Sequence, residues 1–219
     1  MGFSPAAEQF IAMSQYLQIH AKNPQRRLIQ RCVDVIREGG LIAYPTDSSY
    51  ALGCHIGDKT AMERIRRIRR AGKDHNFTLV CRDLTEIALY ARVDNWAYRL
   101  LKSLTPGPYT FILPATREVP RRLQNPKRRS IGIRVPDHPV PLAILGELGE
   151  PIMSSTLMLP GDDLPMTDPA IIHHRLGNQV EAVIDSGFCG QDPSTVLDLS
   201  GGQVEIRRRG KGAVDFLAA

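Results

Sequence analysis

Hydroxyl and guanidinium side chains gather near the ends of the strands that the sequence predicts. They are Thr46 and Ser48 after Pro45, Thr110, Ser130, Arg134, the run Ser154 to Thr156, Ser194-Thr195 and Arg208. Strand ends are where α/β proteins bind ligands. If these residues converge, they form a pocket of neutral donors and guanidinium forks, suited to phosphate and carboxylate groups. Each residue alone reads as a turn cap or a solvated side chain, so their order along the chain carries the argument. Other chemistries are disfavoured. G-x-x-x-x-G-K-[ST] and G-x-G-x-x-G are missing, and Gly210-Lys211 lacks the spacing and following hydroxyl of a phosphate loop. G-x-S-x-G and H-E-x-x-H are missing as well. Histidines 20, 55, 75, 138, 173 and 174 show no metal spacing, and no protein-caged metal is expected.

The elements that would position these residues follow from periodicity. Leu28, Ile29, Cys32, Val33 and Ile36 recur at helical spacing, and Gly39-Gly40 ends the run. LIAYP reads as a strand closed by Pro45, then a functional loop. Residues 58–70 predict a helix with an intensely basic end, followed by strand 77–81, helices 84–92 and 95–104, and strand 109–113 behind Pro106-Gly107-Pro108. The basic, proline-containing stretch 118–130 reads as an exposed loop before strand IGIRV. A helix over 139–148, strands 151–156, 180–187, 194–200 and 204–210, and a helix near 168–176 complete the chain. This is mixed α/β, not a regular βαβ repeat.

With 219 residues, 42% hydrophobic and 23% charged, the chain can bury one sizeable core. Its apolar runs are far shorter than the roughly 20 residues needed to cross a bilayer. Residues 1–12 lack the basic and apolar regions of a secretory signal, so no membrane contact and a cytoplasmic location are expected. Cys32, Cys54, Cys81 and Cys189 lie far apart without C-x-x-C spacing and read as buried free thiols. His173-His174 reads as polar helix surface. The net charge of +5 suggests an anionic partner such as a nucleotide or RNA.

Four segments in order, PTDSSYALG (45–53), PGPYTFIL (106–113), SIGIRVPDHP (130–139) and PSTVLDLS (193–200), closely resemble the YrdC family of threonylcarbamoyl-AMP synthases. The details ERIRRIRR, HNFTLVCRD, EVPRRL and MSSTLMLPG are most similar to its YciO branch. The resemblance implies a YrdC-like twisted mixed sheet flanked by helices, with a basic concave cleft. Its domain would be 23–212, with an N-terminal extension 1–22, of which 1–12 is an extended start or tail, and a C-terminal tail 213–219. It implies ATP as a substrate, with Mg2+, condensed with L-threonine and bicarbonate into threonylcarbamoyl-AMP and pyrophosphate for modification of a tRNA adenosine. By motif, it places Thr46, His75, Arg134, Ser154 and Ser194 at the threonine and carbamate, and Arg67, Ser130, Thr156 and Arg208 at the nucleotide. Arg69 is the residue it implicates in catalysis. Attack on an α-phosphorus needs alignment and charge neutralisation more than a covalent nucleophile, so the missing triad is no obstacle.

This sequence departs from the family pattern where the triphosphate would be handled. The family's K-x-R pair aligns with Arg69 and Ala71, so one charge changes shape and the other is lost. Its S-x-N element corresponds to Thr156-Leu157-Met158, keeping the hydroxyl but not the amide. The loop pattern P-T-[DE]-T-V-Y-G-L-G differs at Ser48, Ser49 and Ala51. These changes point to a weak synthase, a changed acyl group, or a protein that consumes threonylcarbamoyl-AMP. The alternative is a double-stranded RNA-binding protein without chemistry, on the strength of the basic runs 64–70, 121–129 and 207–211.

Overall fold

The apolar stripe from Leu28 to Ile36 becomes α1 (Arg26–Arg37), with Ile29, Cys32, Val33, Val35 and Ile36 buried against the sheet. The computed structural model describes residues 14–72 and 75–217. Among these, five further helices follow: α2 (Lys59–Arg69), α3 (Leu84–Tyr90), α4 (Asn95–Leu104), α5 (Pro139–Leu148) and α6 (Pro169–Leu176). Aspartates start three of them by accepting orphan backbone N–H groups: Asp58 at α2, Asp83 at α3 and Asp168 at α6.

Among the described residues, one sheet of ten strands holds the molecule together. The strands are β1 (Gln15–Gln18), β2 (Ile42–Tyr44), β3 (Ala51–His55), β4 (Thr78–Val80), β5 (Tyr109–Pro114), β6 (Ser130–Arg134), β7 (Ile152–Thr156), β8 (Ala182–Asp185), β9 (Thr195–Asp198) and β10 (Glu205–Arg208). Their order across the sheet is β1-β8-β2-β3-β7-β4-β6-β5-β9-β10. β8 is parallel to β1 and β2, β4 to β6, and β5 to β9, while the remaining neighbours are antiparallel. The expected mixed α/β sheet flanked by helices is the observed fold.

The two faces are covered unequally, and that inequality makes the site. One face, with Leu52, Leu79, Phe111, Ile133, Met153 and Leu197, packs into a large core that also takes in buried residues of α2, α3, α4 and α6. On the other face α1 and α5 cover only part of the sheet, packing on Ile42, Tyr44, Ile152, Ala182 and Ile184. The rest of that face, from the Ser154–Thr156 end of β7 across to β9, lines an open cavity among the described residues.

Three details differ from the sequence reading. Ala51–His55, within and beyond the expected loop, forms β3 antiparallel to β2; Ala51 to Cys54 are all buried, so no polar alternation announces the strand. Gln15–Gln18, inside the expected extension 1–22, is an edge strand, tied down by Tyr16, whose hydroxyl donates to Asp185 Oδ2 at 3.0 Å. Stretch 118–130 is not wholly an exposed loop: Val119 and Leu123 are buried and Arg121–Leu123 makes a short 3-10 turn. The expected start or tail 1–12 lies outside the described residues. His174 is exposed as expected, but His173 packs on the Tyr16 ring with centroids 5.0 Å apart. Cys32, Cys54 and Cys81 are buried free thiols and Cys189 is half-buried. No described helix is long and apolar enough to cross a membrane.

Candidate functional site

The uncovered face is lined by alternate residues of its strands: Ser130, Gly132 and Arg134 on β6, Thr78 on β4, Thr110 and Ile112 on β5, Ser154 and Thr156 on β7, Asp198 on β9. Period-two geometry sends Ile133 and Phe111 to the opposite core. Gly132 keeps the floor low. A Cβ there would stand 3.3 Å from Thr78 Oγ1 and 3.4 Å from Thr110 Cγ2, and anything larger would rise into the open space. The resulting cavity measures about 840 Å3, large enough for a small-molecule ligand of nucleotide size.

At one end, α2 delivers Arg69. Its Nη1 lies 2.9 Å from His75 Nε2 and also donates to Ser155 Oγ, while Ser155 Oγ is itself 2.9 Å from His75 Nε2. Burial and the neighbouring Arg208 lower the pKa of Arg69. Burial, then Arg69 and Arg66, push His75 down to about 4, so its ring is neutral near pH 7.

Arg208 approaches from β10. It donates from Nε and Nη2 to Ser194 O at 3.1 and 2.9 Å, and Ser194 Oγ is 2.8 Å from Thr110 Oγ1. Burial of its head group and nearby Arg134 lower its pKa. A bulge explains how it arrives: the β9 register shifts between Ile206 and Arg208. The extra residue breaks the alternation, and consecutive residues Arg207 and Arg208 both line the cavity.

The other arginines of the cavity are already matched by carboxylates. Arg134 Nη2 donates to Asp47 Oδ1 at 2.5 Å and Nη1 to Ser48 Oγ at 3.1 Å. Arg128 and Arg207 both donate to Asp198 Oδ2, at 2.9 and 2.8 Å. Burial alone would raise the Asp198 pKa, but hydrogen bonds from Ser200 and Arg207 outweigh it and hold the carboxyl below its ordinary value. Among the described residues, Arg69 and Arg208 have no carboxylate partner. The cavity therefore offers an anion from outside two guanidinium groups without a carboxylate, that of the half-buried Arg69 and that of Arg208, which is exposed on β10.

Of the residues expected at a site, Thr46, Arg69, His75, Ser130, Arg134, Ser154, Thr156, Ser194 and Arg208 all line this one cavity. Arg67 does not. It is exposed on α2, two residues from Arg69 and so about 200° away around the helix. Thr46 reaches the cavity, but its hydroxyl accepts from Ser48 N and Ser49 N and donates to Ser49 O at 2.6 Å, shaping its own loop. Ser154 Oγ is 2.7 Å from the buried Tyr44 hydroxyl, whose pKa burial pushes up to about 12. Sequence reasoning missed Tyr44, Asp47 and Asp198 as site residues, and it held Ser155 only as the middle of the hydroxyl run 154–156, without a role of its own. Met158, where the family pattern has Asn, lines the cavity, and its carbonyl accepts from Arg69 Nε at 3.5 Å. Among the described residues no group of three or more His, Cys, Asp or Glu is arranged to hold a metal ion.

The family model Sua5/YciO/YrdC, described as "Telomere recombination", matches residues 34–210. The YciO protein of Escherichia coli (strain K12) is 54% identical over 202 residues, covering 92% of this chain and 98% of the relative. Its crystal structure superposes with a TM-score of 0.89 over the same shares. The threonylcarbamoyl-AMP synthase of Chromobacterium violaceum is 33% identical over 184 residues, 83% of this chain and 93% of the synthase. The crystal structure of P. abyssi Sua5 complexed with L-threonine shares the fold, with a TM-score of 0.86, 24% identity, and coverage of 93% of this chain and 60% of that one.

Proposed function

The chain belongs to the Sua5/YciO/YrdC family, and from that premise we propose that its cavity binds an adenine nucleotide and forms or hydrolyses threonylcarbamoyl-AMP, hydrolysis being the direction its residues favour. One observation carries the reading: Arg69, half-buried, and Arg208, exposed on β10, line the same cavity with no described carboxylate to match them. An adenylate brings one phosphate charge to that place. Preorganised guanidinium donors at a reacting phosphorus stabilise charge as the mixed anhydride forms or breaks.

ATP, with its Mg2+, makes a larger demand than an adenylate. The position aligned with the family's second cation is Ala71, and Met158 gives no amide. Synthesis must hold the β- and γ-phosphates as pyrophosphate leaves, whereas hydrolysis requires only the α-phosphate and a water. The 33% identical threonylcarbamoyl-AMP synthase supports the acyl adenylate as the substrate class, with L-threonine and bicarbonate as the other reactants in the synthetic direction. The acyl end would lie toward Arg134, Ser154 and Ser194, and the nucleotide toward Ser130, Thr156 and Arg208.

Mass spectrometry separates the directions. The protein is incubated with threonylcarbamoyl-AMP, and separately with ATP, L-threonine and bicarbonate. AMP from the first mixture, with little or no adenylate from the second, is the expected result. Accumulation of threonylcarbamoyl-AMP with pyrophosphate would make it a synthase despite Ala71 and Met158. Inertness of the folded protein in both mixtures would remove the adenylate reading.

A second ligand is favoured by the exposure of Arg67 on α2, of Arg70 at its C-terminal cap, and of Arg121, Lys127 and Arg129 beyond β5. These side chains would meet the phosphate backbone of tRNA or other double-stranded RNA outside the cavity. Such binding falls steeply with salt; binding indifferent to salt, or none, would exclude it.

A further inference from the structure

His75, Arg69 and Ser155 form a closed triangle on the cavity wall, and its hydrogen bonds restrict what the histidine can do. Arg69 Nη1 is 2.9 Å from His75 Nε2, and a guanidinium only donates. Nε2 must therefore accept, which makes the ring neutral and puts its proton on Nδ1. Ser155 Oγ also takes a bond from Arg69, and its own hydrogen is left to point toward Nε2 at 2.9 Å. The lone pair that could receive a proton is thus occupied twice.

We propose that His75 is the proton acceptor of this cavity and that Arg69 keeps it silent until an anionic ligand draws the guanidinium away. The proposal deepens the adenylate reading and rests on it. In hydrolysis, water gives its oxygen to the α-phosphorus and a proton to His75 Nε2, directly or through Ser155. The bond from phosphorus to the carbamoyl oxygen breaks, and its electron pair leaves with N-carboxythreonine. AMP remains, and the imidazolium returns the proton to solvent.

The surroundings make the ligand the natural trigger. Arg69 and Arg66 face the imidazole from α2, Ser155 from β7, and the Phe77 ring stands edge-on at 5.1 Å. Glu63 pairs with Arg66 at 3.0 Å, and Arg208 on β10 adds its charge behind Arg69. Lys73 and Asp74 precede His75 in sequence and lie outside the described residues. Burial and the two arginines hold the histidine near pH 4. A phosphate on Arg69 offsets that field and withdraws the blocking donor together, so chemistry is licensed only when substrate is bound.

The test follows the His75 ring by NMR titration in the whole protein, with the His75→Gln variant identifying its signal and AMP as the probe. Calorimetry measures AMP binding independently. With saturating AMP the His75 midpoint should rise by about 1 to 3 pH units, the effect of an opposite charge nearby. In ligand-free Arg69→Gln it should rise toward the ordinary value without AMP. If AMP binds and the midpoint stays near pH 4, the proton-acceptor role is overturned while the nucleotide reading stands. If AMP does not bind, the nucleotide reading falls and the proposal falls with it.

Discussion

Met158 and His75 show how single side chains set the character of this cavity. A methionine cannot offer the donor and acceptor of an amide, and one hydrogen bond to a charged phosphate is worth about 1.5–3 kcal/mol. Met158→Asn should therefore tighten ATP binding about tenfold to hundredfold, read by calorimetry, and an unchanged affinity would mean that residue 158 does not face the nucleotide. His75 also bears on stability. Its folded pKa of about 4 lies below the ordinary 6.5, so the unfolded chain binds more protons between those values. The stability it confers is full above about pH 6.5 and is lost as pH falls toward 4. In urea melts, wild type should lose more stability than His75→Gln across that window. Parallel losses would contradict a neutral, half-buried imidazole.

At the scale of elements, β10 and α6 make contrasting predictions. Gly210 follows the bulge that presents Arg208, and a Cβ there would stand 2.2 Å from Pro193 O and 2.8 Å from Ser194 O. Both obstacles are backbone, so Gly210→Ala must shift the segment that pins Arg208 on Ser194. AMP affinity should fall about tenfold although residue 210 does not line the cavity, the loss expected when a hydrogen bond to a charged group is misplaced. Asp168 caps α6 by accepting from Ala170 N and Ile171 N, outside the site. Asp168→Ala should cost about 1 kcal/mol of stability and leave AMP binding unchanged. Legibility in the sequence divides along similar lines. α1 and β6 were readable because Leu28 to Ile36 and Ser130 to Arg134 repeat at 3.6 and 2 residues. β3 was not, since Ala51 to Cys54 are buried throughout, nor was the β10 bulge, which depends on register with β9. Arg207 and Arg208 look like neighbours on opposite faces until that register is known.

For the whole molecule, the decisive feature is a sheet wider than the helix layer on one of its faces. α1 and α5 shield the strands nearest β8, and the uncovered remainder collects hydroxyls and guanidinium groups into one cavity. The sequence showed which residues were chemical and, through their order, that they belonged together. It could not show which arginines were matched. Asp47 and Asp198 are distant in sequence from Arg134 and Arg128, and only folding reveals that they hold those cations while Arg69 and Arg208 meet no described carboxylate. That distinction is the central claim, and AMP calorimetry on wild type, Arg69→Gln and Arg208→Gln tests it most directly. Each substitution should weaken AMP about tenfold to hundredfold, the worth of a hydrogen bond to a charged group, while the fold is retained. Wild-type affinity in both variants would contradict the account.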